Sequence, residues 1–263
     1  MDSLRIHCIQ ADLEWKNKTG NLCKFSKLIE TSAPSDLILL PEMFSTGFVI
    51  TDSMLAEPTD GEASQWMIDT ARQKKCVIAG SIFINDEGFA KNRLLWATPD
   101  GISGWYDKRH LFRMAGEQNF LNAGNETLVF NLHDWKIMPL ICYDLRFPVW
   151  SRNWYKDGTY KYDILTYHAN WPEVRSHAWK SLLTARAIEN QAYVIGINRS
   201  GYDGNGILHS GNTMVIDFNG NIIAESGNNT EEVISVELCM DKLNEYRRNF
   251  KVAADWDTYK IID

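Results

Sequence analysis

Three side chains with the chemistry of amide hydrolysis each follow a segment that has the pattern of a β-strand. Glu42 follows the continuous apolar run DLILLP, Lys108 follows GWYD, and Cys142 ends the run KIMPLIC. Attack of a thiol on a carbonyl or nitrile carbon requires a nucleophile, a base and a donor to the developing oxyanion. We therefore interpret Cys142 as the nucleophile, Glu42 as the general base and Lys108 as the oxyanion stabiliser. The amide N–H of Tyr143 is the natural second donor.

Each of these positions also has an ordinary structural explanation. Glu42 alone could be a solvent-facing loop acid, Lys108 a solvated charge and Cys142 a buried structural cysteine. The setting of Cys142 favours a reactive thiol, because it joins a buried strand to a polar turn and a predicted helix, as in nucleophile elbows. Backbone N–H groups at such a turn favour the thiolate. The three positions are explained better by one shared site than by three separate structural roles.

Alternating strand and helix patterns position these residues. Continuous apolar runs such as 36–41 are typical of strands buried on both faces, and 21–30 has apolar residues at helical spacing. The patterns predict strands at 4–9, 36–41, 76–84, 93–97, 102–106, 127–132, 136–142, 163–168, 192–198 and 232–238, a hairpin around 219–221, helices at 21–30, 61–74, 149–155 and 174–190, and a short helix and polar tail in 241–263. No linker or repeat divides the chain, so we expect one α/β domain whose sheets are covered by helices.

The composition narrows the classes of protein. The chain has 263 residues, 44% hydrophobic and 23% charged, which is ordinary for a globular protein. Its net charge is −7 and no run of Lys or Arg exceeds two residues, so we expect no nucleic-acid partner. Five cysteines without a CxxC pair argue against a disulfide framework or a Cys-rich zinc site and favour a reducing cytoplasm. No segment reads as a signal peptide or a membrane helix, so we expect no membrane association.

The order Glu…Lys…Cys, within LPEMFSTGF, YDKRHLF and ICYDLRFP, resembles the carbon–nitrogen hydrolases of the nitrilase superfamily. The segments YDKRHLFRMAGE, CYDLRFPVWSRN, NWP and TARAIENQAYV are similar to the bacterial omega-amidase branch, the 2-oxoglutaramate amidases. The resemblance implies a four-layer α-β-β-α sandwich in a single domain over residues 1–245. It also implies a homodimer, with the tail 246–263 packing at the dimer interface, and chemistry without a metal or cofactor.

The resemblance further implies roles for particular residues. The triad is Glu42, Lys108 and Cys142, and Glu117 matches a second glutamate that helps to position the substrate, although an exposed loop acid is the alternative. The implied substrates are short 2-oxo dicarboxylic monoamides, 2-oxoglutaramate and 2-oxosuccinamate, whose terminal amide is hydrolysed through a cysteine thioester to the dicarboxylate and ammonia. The residues that we expect around the substrate are Phe44, Tyr143, Asn170, Trp171 and Arg113. Arg146 and Arg175 are further candidates for the distal carboxylate, but pairing of Arg146 with Asp144 is the role we favour.

Other interpretations remain open at this point. An amidase, carbamoylase or nitrilase of the same superfamily would use the same triad, and a catalytically silent small-molecule binding protein could share the fold. His168 and Asn170 with Cys142 could imitate a papain-like thiol protease, but the sequence signatures of those proteases are absent. We expect His168 to lie at a strand end beside the pocket. Arg186 and Glu189, three residues apart on a helix, are expected to pair.

Overall fold

Residues 3–261 are described by the computed structural model. The strands are β1 (Ser3–Gln10), β2 (Leu37–Leu39), β3 (Val77–Asp86), β4 (Phe89–Thr98), β5 (Gly101–Asp107), β6 (Phe130–Leu132), β7 (Trp135–Ile141), β8 (Tyr155–Lys156), β9 (Thr159–Tyr160), β10 (Ile164–Ala169), β11 (Tyr193–Asn198), β12 (Ser200–Tyr202), β13 (Leu208–Ser210), β14 (Met214–Ile216), β15 (Ile222–Glu225) and β16 (Glu232–Cys239). The helices are α1 (Lys18–Glu30), α2 (Glu62–Lys74), α3 (Pro148–Ser151), α4 (Ser176–Asn190) and α5 (Met240–Asn249).

Twelve of these strands form two mixed sheets of six strands each. The first has the order β16-β1-β2-β3-β4-β5 and the second the order β15-β14-β11-β10-β7-β6. Strands β1, β2 and β3 are mutually parallel, as are β7, β10 and β11. Because the carboxyl ends of neighbouring parallel strands meet at one edge of a sheet, loops that follow these strands converge there.

The side chains of the first sheet alternate between two hydrophobic cores. Leu37 and Leu39 of β2 pack toward the second sheet, whereas Ile38 packs with Phe25 of α1 and Met67 of α2. Helix α4 covers the opposite face of the second sheet with its buried apolar side chains. The layers therefore run helix, sheet, sheet, helix, and the predicted four-layer α-β-β-α sandwich is confirmed.

Helix α4 packs closely on the second sheet because β11 has a glycine below it. A Cβ at Gly196 would lie 2.5 Å from Leu183 Cδ1 and 2.6 Å from Trp179 Cζ2. The indole N–H of Trp179 donates to the Asn212 carbonyl, which fixes the helix over the sheet. A larger residue at position 196 would push α4 away from the strands that carry the candidate site.

Two hairpins differ from the sequence-based expectation. The predicted helix 149–155 is wrong after Ser151, because the chain becomes extended at Arg152 and β8 and β9 form a hairpin. The turn between them is Asp157-Gly158, both with positive φ (51° and 78°), a turn signal that the apolar pattern of the preceding residues obscured. The hairpin of β12 and β13 was not predicted, because three-residue strands around a polar loop show no periodicity.

The C-terminal helix crosses the boundary predicted at residue 245. Arg247 of α5 is buried and donates to the Asp163 carboxylate and to the carbonyls of Tyr162 and Gln191. The helix is thus anchored to the body of the domain to its end. Contact of the tail 246–263 with a partner subunit stays a prediction. Among residues 3–261, every helix is too short or too polar to span a lipid bilayer.

Candidate active site

A cavity of about 120 Å³ opens where several strands end. Lys108 directly follows β5, Cys142 directly follows β7, and Asn170 directly follows β10. Glu42 lies three residues beyond β2. The cavity is lined by Glu42, Phe48, Lys108, Phe112, Ala115, Cys142, Tyr143, Arg146, Asn170, Trp171, Pro172, Arg175, Asp203, Asn205, Ile207 and His209. The structure therefore brings the three predicted reactive side chains to one place.

Glu42 is 1% exposed and accepts hydrogen bonds on both carboxylate oxygens. Oε1 accepts from Lys108 Nζ at 2.8 Å and from Asn92 Nδ2 at 2.8 Å, and Oε2 accepts from the Asn170 backbone N–H at 2.8 Å. The Asn170 side-chain amide also donates to the Glu42 carbonyl at 2.6 Å. These donors fix the carboxylate in one orientation, because its two oxygens are held by residues from different segments of the chain.

Lys108 forms the centre of a buried group of charges. Its Nζ lies 2.8 Å from Glu42 Oε1, and 3.1 and 3.0 Å from the two carboxylate oxygens of Glu117. Burial alone would lower the pKa of Lys108, but Glu117 and Glu42 outweigh it and hold the pKa above its ordinary value. Burial raises the pKa of Glu117, with Lys108 opposing the shift. Glu117 is fully buried, so it is not the exposed loop acid that sequence reasoning left open.

Cys142 is held at the elbow between β7 and a short 3-10 helix, Cys142–Arg146. Its φ of 41° is unusual for a residue with a side chain and is typical of strained nucleophile turns. The sulfur lies 3.9 Å from the Asn170 carbonyl oxygen. Burial and the nearby Glu42 carboxylate raise the pKa of the thiol well above its ordinary value, although Lys108 opposes this. The expectation that the turn favours a resting thiolate is therefore wrong.

Asp144 braces this elbow from inside the domain. Its carboxylate is fully buried and accepts from Tyr106 Oη at 2.8 Å, His110 Nδ1 at 2.8 Å, and the backbone N–H groups of His110 and Ile141 at 3.0 and 3.1 Å. Arg146 does not pair with it, so that expectation is wrong. The Arg146 guanidinium instead lies 4.9 Å from the centre of the Trp171 ring.

The predicted substrate-contacting residues divide into two groups. Tyr143, Asn170 and Trp171 line the cavity. Phe44 does not, because it is fully buried between α1 and α2, with its ring centre 5.4 Å from that of Phe25 and 5.6 Å from that of Trp66. Arg113 does not line it either.

The physical reason in both cases is local. Met43 has a φ of 44°, and this bend sends Phe44 into the helical layer and leaves Phe48 at the cavity. Arg113 lies on an exposed 3-10 turn, whereas Arg146 and Arg175, the other two candidate cations, line the cavity.

The loop of the β12–β13 hairpin forms a wall that the sequence did not indicate. Asp203, Asn205, Ile207 and His209 of this hairpin line the cavity. Burial and the charge of Arg199 lower the pKa of His209 to about 4, so its imidazole is neutral near neutral pH. The polar DGNG segment gave the only signal, and it predicts a turn without indicating where that turn packs.

His168 lies near the end of β10, two residues before the cavity-lining Asn170, and is fully buried without lining the cavity itself, so it lies beside the pocket as expected. Its Nδ1 lies 2.6 Å from the Leu40 carbonyl oxygen and its Nε2 lies 3.0 Å from Thr166 Oγ1. Since both ring nitrogens are engaged away from Cys142, a papain-like dyad is excluded. The predicted pair of Arg186 and Glu189 is confirmed at 3.0 Å. Within residues 3–261, no group of three or more His, Cys, Asp or Glu side chains is arranged to hold a metal ion.

Comparison with known proteins agrees with this fold. The model of the carbon–nitrogen hydrolase family matches residues 5–248. The omega-amidase YafV of Escherichia coli K12 is 43% identical over 261 residues, which are 99% of this chain and 100% of the relative. The 2-oxoglutaramate amidase of Bacillus subtilis is 34% identical over 254 residues, 95% of this chain and 96% of the relative.

A solved structure extends the agreement to three dimensions. XC1258 of Xanthomonas campestris, a CN-hydrolase superfamily protein with an arsenic adduct in its active site, superposes with a TM-score of 0.96 at 40% identity. The match covers 99% of this chain and 100% of that protein. The chain belongs to the carbon–nitrogen hydrolase family, and the resemblance to that family is confirmed.

Proposed function

We propose that this protein is an omega-amidase that hydrolyses the terminal amide of short 2-oxo dicarboxylic monoamides, 2-oxoglutaramate and 2-oxosuccinamate. One observation carries the proposal: the cavity that holds the Cys142 thiol also holds two guanidinium groups, Arg146 and Arg175, that form no ion pair with a carboxylate in residues 3–261. A substrate with an amide at one end and a carboxylate at the other matches such a cavity. The relatives named omega-amidase and 2-oxoglutaramate amidase support the same substrate class.

The first step is attack of Cys142 on the amide carbon. As the C–S bond forms, the thiol proton moves to Glu42, and the carbonyl oxygen becomes an oxyanion. Lys108 has three N–H donors: one bonds Glu42, and a second is shared between the two carboxylate oxygens of Glu117, which leaves one for the oxyanion. The Tyr143 N–H is the second donor. Glu117 positions Lys108 in this scheme and does not itself exchange a proton.

The second step releases ammonia. The oxyanion collapses, the C–N bond breaks, and Glu42 gives its proton to the departing nitrogen. A thioester on Cys142 remains. A water molecule then attacks it while Glu42 takes a proton from that water, and the proton returns to the sulfur as the C–S bond breaks. The new carboxylic acid gives its proton to ammonia, so the products are the dicarboxylate and ammonium, and the thiol and the Glu42 carboxylate are restored.

The two arginines define the distal end of the substrate. The Arg146 guanidinium carbon lies over the Trp171 ring, 4.9 Å from its centre, and that of Arg175 lies 5.3 Å from the centre of the Phe112 ring. Contact with an aromatic face restricts each guanidinium and leaves its N–H donors for a ligand. The small volume of the cavity favours a short acyl chain over a peptide or a long aliphatic amide.

Ammonia release from a panel of small amides tests the proposal. We expect 2-oxoglutaramate and 2-oxosuccinamate to be hydrolysed faster than glutamine, N-carbamoyl amino acids, simple aliphatic amides and the corresponding nitriles. A preference for any of those other substrates would favour the related amidase, carbamoylase or nitrilase. No ammonia from any of them would favour a silent binding protein.

Three arginine variants test the carboxylate end. Arg146→Met and Arg175→Met should each raise KM for 2-oxoglutaramate about 10- to 100-fold, since a hydrogen bond to a charged group is worth about 1.5–3 kcal/mol. They should change KM for propionamide, which lacks the carboxylate, much less. Arg113→Met is the matched control, because Arg113 lies outside the cavity. Equal effects of all three variants would contradict the assignment.

The nucleophile has its own test. Mass spectrometry of the wild type with substrate should trap an acyl group on Cys142, and Cys142→Ala should abolish ammonia release. Cys23, which is exposed on α1, provides the control as Cys23→Ala. Retained turnover in Cys142→Ala would overturn the mechanism.

We also propose that the protein is a cytoplasmic homodimer. Three exposed apolar side chains lie in or after α3 and near the end of α4: Val149, Trp154 and Ile188. Arg152, which follows α3, links the two helices by donating to the Glu189 carbonyl. The tail reaches the same surface, where Tyr259 Oη donates to the Val149 carbonyl. Light scattering should report a dimer, and Ile188→Lys should yield monomer. A wild-type monomer would contradict the proposal.

A further inference from the structure

One donor to Glu42 lies outside the cavity. Of the three N–H groups on the Glu42 carboxylate, those of Lys108 and Asn170 come from residues that line the cavity. The third comes from Asn92, in the middle of β4, whose side chain is 1% exposed and does not line the cavity. Asn92 Nδ2 lies 2.8 Å from Glu42 Oε1. Asn92 therefore contacts the base of the proposed reaction without being able to contact the substrate.

The orientation of this side chain is set by Glu42. A carboxylate has only acceptors, so the nitrogen of the Asn92 amide must face it. The amide oxygen, Oδ1, is then buried without a hydrogen-bond partner in residues 3–261. An unpartnered buried acceptor destabilises a fold, and an apolar side chain of the same shape would remove it. The asparagine at this position is therefore explained by its donor to Glu42 and not by its oxygen.

We propose that Asn92 is a positioning residue that keeps Glu42 ionised and directed at Cys142. The proposal rests on the proposed function, because it assigns a task to the base of that reaction. The Asn92 N–H stabilises the carboxylate form and cannot donate to a lone pair that carries a proton. Without it, Glu42 would hold a proton up to a higher pH and would lose one of the contacts that fix its orientation.

Other groups around Glu42 also titrate, and the test must separate them from Asn92. The charged or titratable neighbours are Lys108 after β5, Glu117, Cys142 after β7, His168 on β10 and His209 on β13. His168 and His209 have pKa values lowered to about 4 by burial, so they stay neutral above that pH. None of these residues is changed in the Asn92 variants, so each contributes equally to wild type and variant.

The test is the pH dependence of Asn92→Leu, which removes the donor and keeps the approximate shape. We expect the acidic limb of the kcat/KM profile to move up by about 1–2 pH units, as expected for loss of a hydrogen bond to a charged group. We expect KM to change less than kcat, because Asn92 does not line the cavity. By linkage, loss of this hydrogen bond should lower the free energy of unfolding where Glu42 is ionised, and removal of the unpartnered oxygen offsets part of that loss, so the urea midpoint of Asn92→Leu should lie nearer to that of the wild type at acidic pH than at pH ~8.

Two further variants complete the design. Asn92→Asp keeps the shape and replaces the donor by a second carboxyl group, so it should move the limb in the same direction and further. It also serves if Asn92→Leu fails to fold. Asn190→Leu is the matched control, since Asn190 is a fully buried asparagine that bonds to Asn153 and Arg186 away from the cavity. It should lower stability and leave the acidic limb unchanged.

A readout without substrate separates this inference from the proposed function. The infrared band of a protonated carboxyl group, assigned to Glu42 by its loss in Glu42→Gln, can be followed against pH in wild type and in Asn92→Leu. We expect the band to persist to higher pH in the variant. If the wild type hydrolyses no amide, the function is wrong and the infrared titration still decides the role of Asn92. An unshifted band, or an unshifted acidic limb in an active enzyme, overturns it.

Discussion

Replacing Lys108 by methionine should test the charge balance of the site more directly than any other change. Methionine has a similar length but no charge, so Glu42 and Glu117 would be left in a buried space without their shared cation. At about 3 Å and an effective dielectric constant of about 20, each ion pair corresponds to about 5 kcal/mol. Most of this is offset by desolvation, and breaking a buried pair typically costs about 3–5 kcal/mol.

The loss should depend on pH because a carboxyl group can neutralise itself by binding a proton. Burial already raises the pKa of Glu117 above its unfolded value of 4.5, and removal of Lys108 takes away the opposing effect. The folded variant then binds more protons than the unfolded chain, so its free energy of unfolding falls as pH rises above about 4.5. We expect the full loss of about 3–5 kcal/mol at pH ~8 and a smaller loss at pH ~5.

Urea unfolding at several pH values, followed by the fluorescence of the ten tryptophans, measures this. Ammonia release should fall about 100- to 1000-fold at every pH, because an oxyanion donor is missing. Lys91→Met is the control, since Lys91 pairs with Asp86 and Asp107 near the surface and should cost at most about 1 kcal/mol. A loss of stability in Lys108→Met that is equal at pH ~5 and ~8 would refute the reasoning about the carboxylates.

Two further outcomes follow from the buried network around the cavity. Asp144→Ala should lower the free energy of unfolding by about 3–4 kcal/mol, because the donors of Tyr106 and His110 lose their acceptor. Asp144→Asn keeps an acceptor oxygen and should lower it less. Equal urea midpoints for the two variants would contradict this. His209, with a folded pKa of about 4 against 6.5 unfolded, binds fewer protons when folded, so stability should fall as pH drops from 6.5 toward 4. His209→Gln should flatten that slope in urea titrations, and an unchanged slope would argue against it.

The layers of the fold were predictable because strands buried on both faces are apolar at every position. Strand β2 is apolar at Leu37, Ile38 and Leu39 because one face meets the second sheet and the other meets α1 and α2. Such a continuous run has no other simple explanation. The β8–β9 hairpin has no such pattern. Strands of two residues show no periodicity, and the apolar Trp154 and Tyr155 extend the helical pattern that precedes them.

A site residue was predictable only where the local strand pattern directly before it fixes its position. Lys108 and Cys142 directly follow strands, so their convergence follows from the edge at which strands end. The prediction for Phe44 was wrong because the chain bends at Met43, which has a φ of 44°. Phe44 therefore faces the helices and not the cavity. The partners of Arg146 and the wall formed by the β12–β13 loop depend on contacts between distant segments, and local patterns carry no information about them.

The resting state of Cys142 has a further consequence. Beside the Cys142 sulfur, one buried ammonium, Lys108, is already shared by two carboxylates, Glu42 and Glu117, so a thiolate would add a third negative charge to that one cation. This is why burial and Glu42 raise the pKa of the thiol, with Lys108 too weak to reverse the shift. Attack must therefore be coupled to proton transfer from sulfur to Glu42, which keeps the total charge of the site constant.

Glu42→Gln separates the two roles of this carboxylate. As a charge, Glu42 suppresses the thiolate, and as a base, it is required for turnover. Because glutamine removes the charge and leaves Lys108 in place, we expect Cys142 to be alkylated by iodoacetamide faster than in the wild type while ammonia release is lost. Labelling of Cys142, followed site by site in mass spectra with the exposed Cys23 as internal reference, measures the first effect. Slower labelling of Cys142 in Glu42→Gln would mean that assistance by the base outweighs electrostatic suppression, and the charge argument would be wrong.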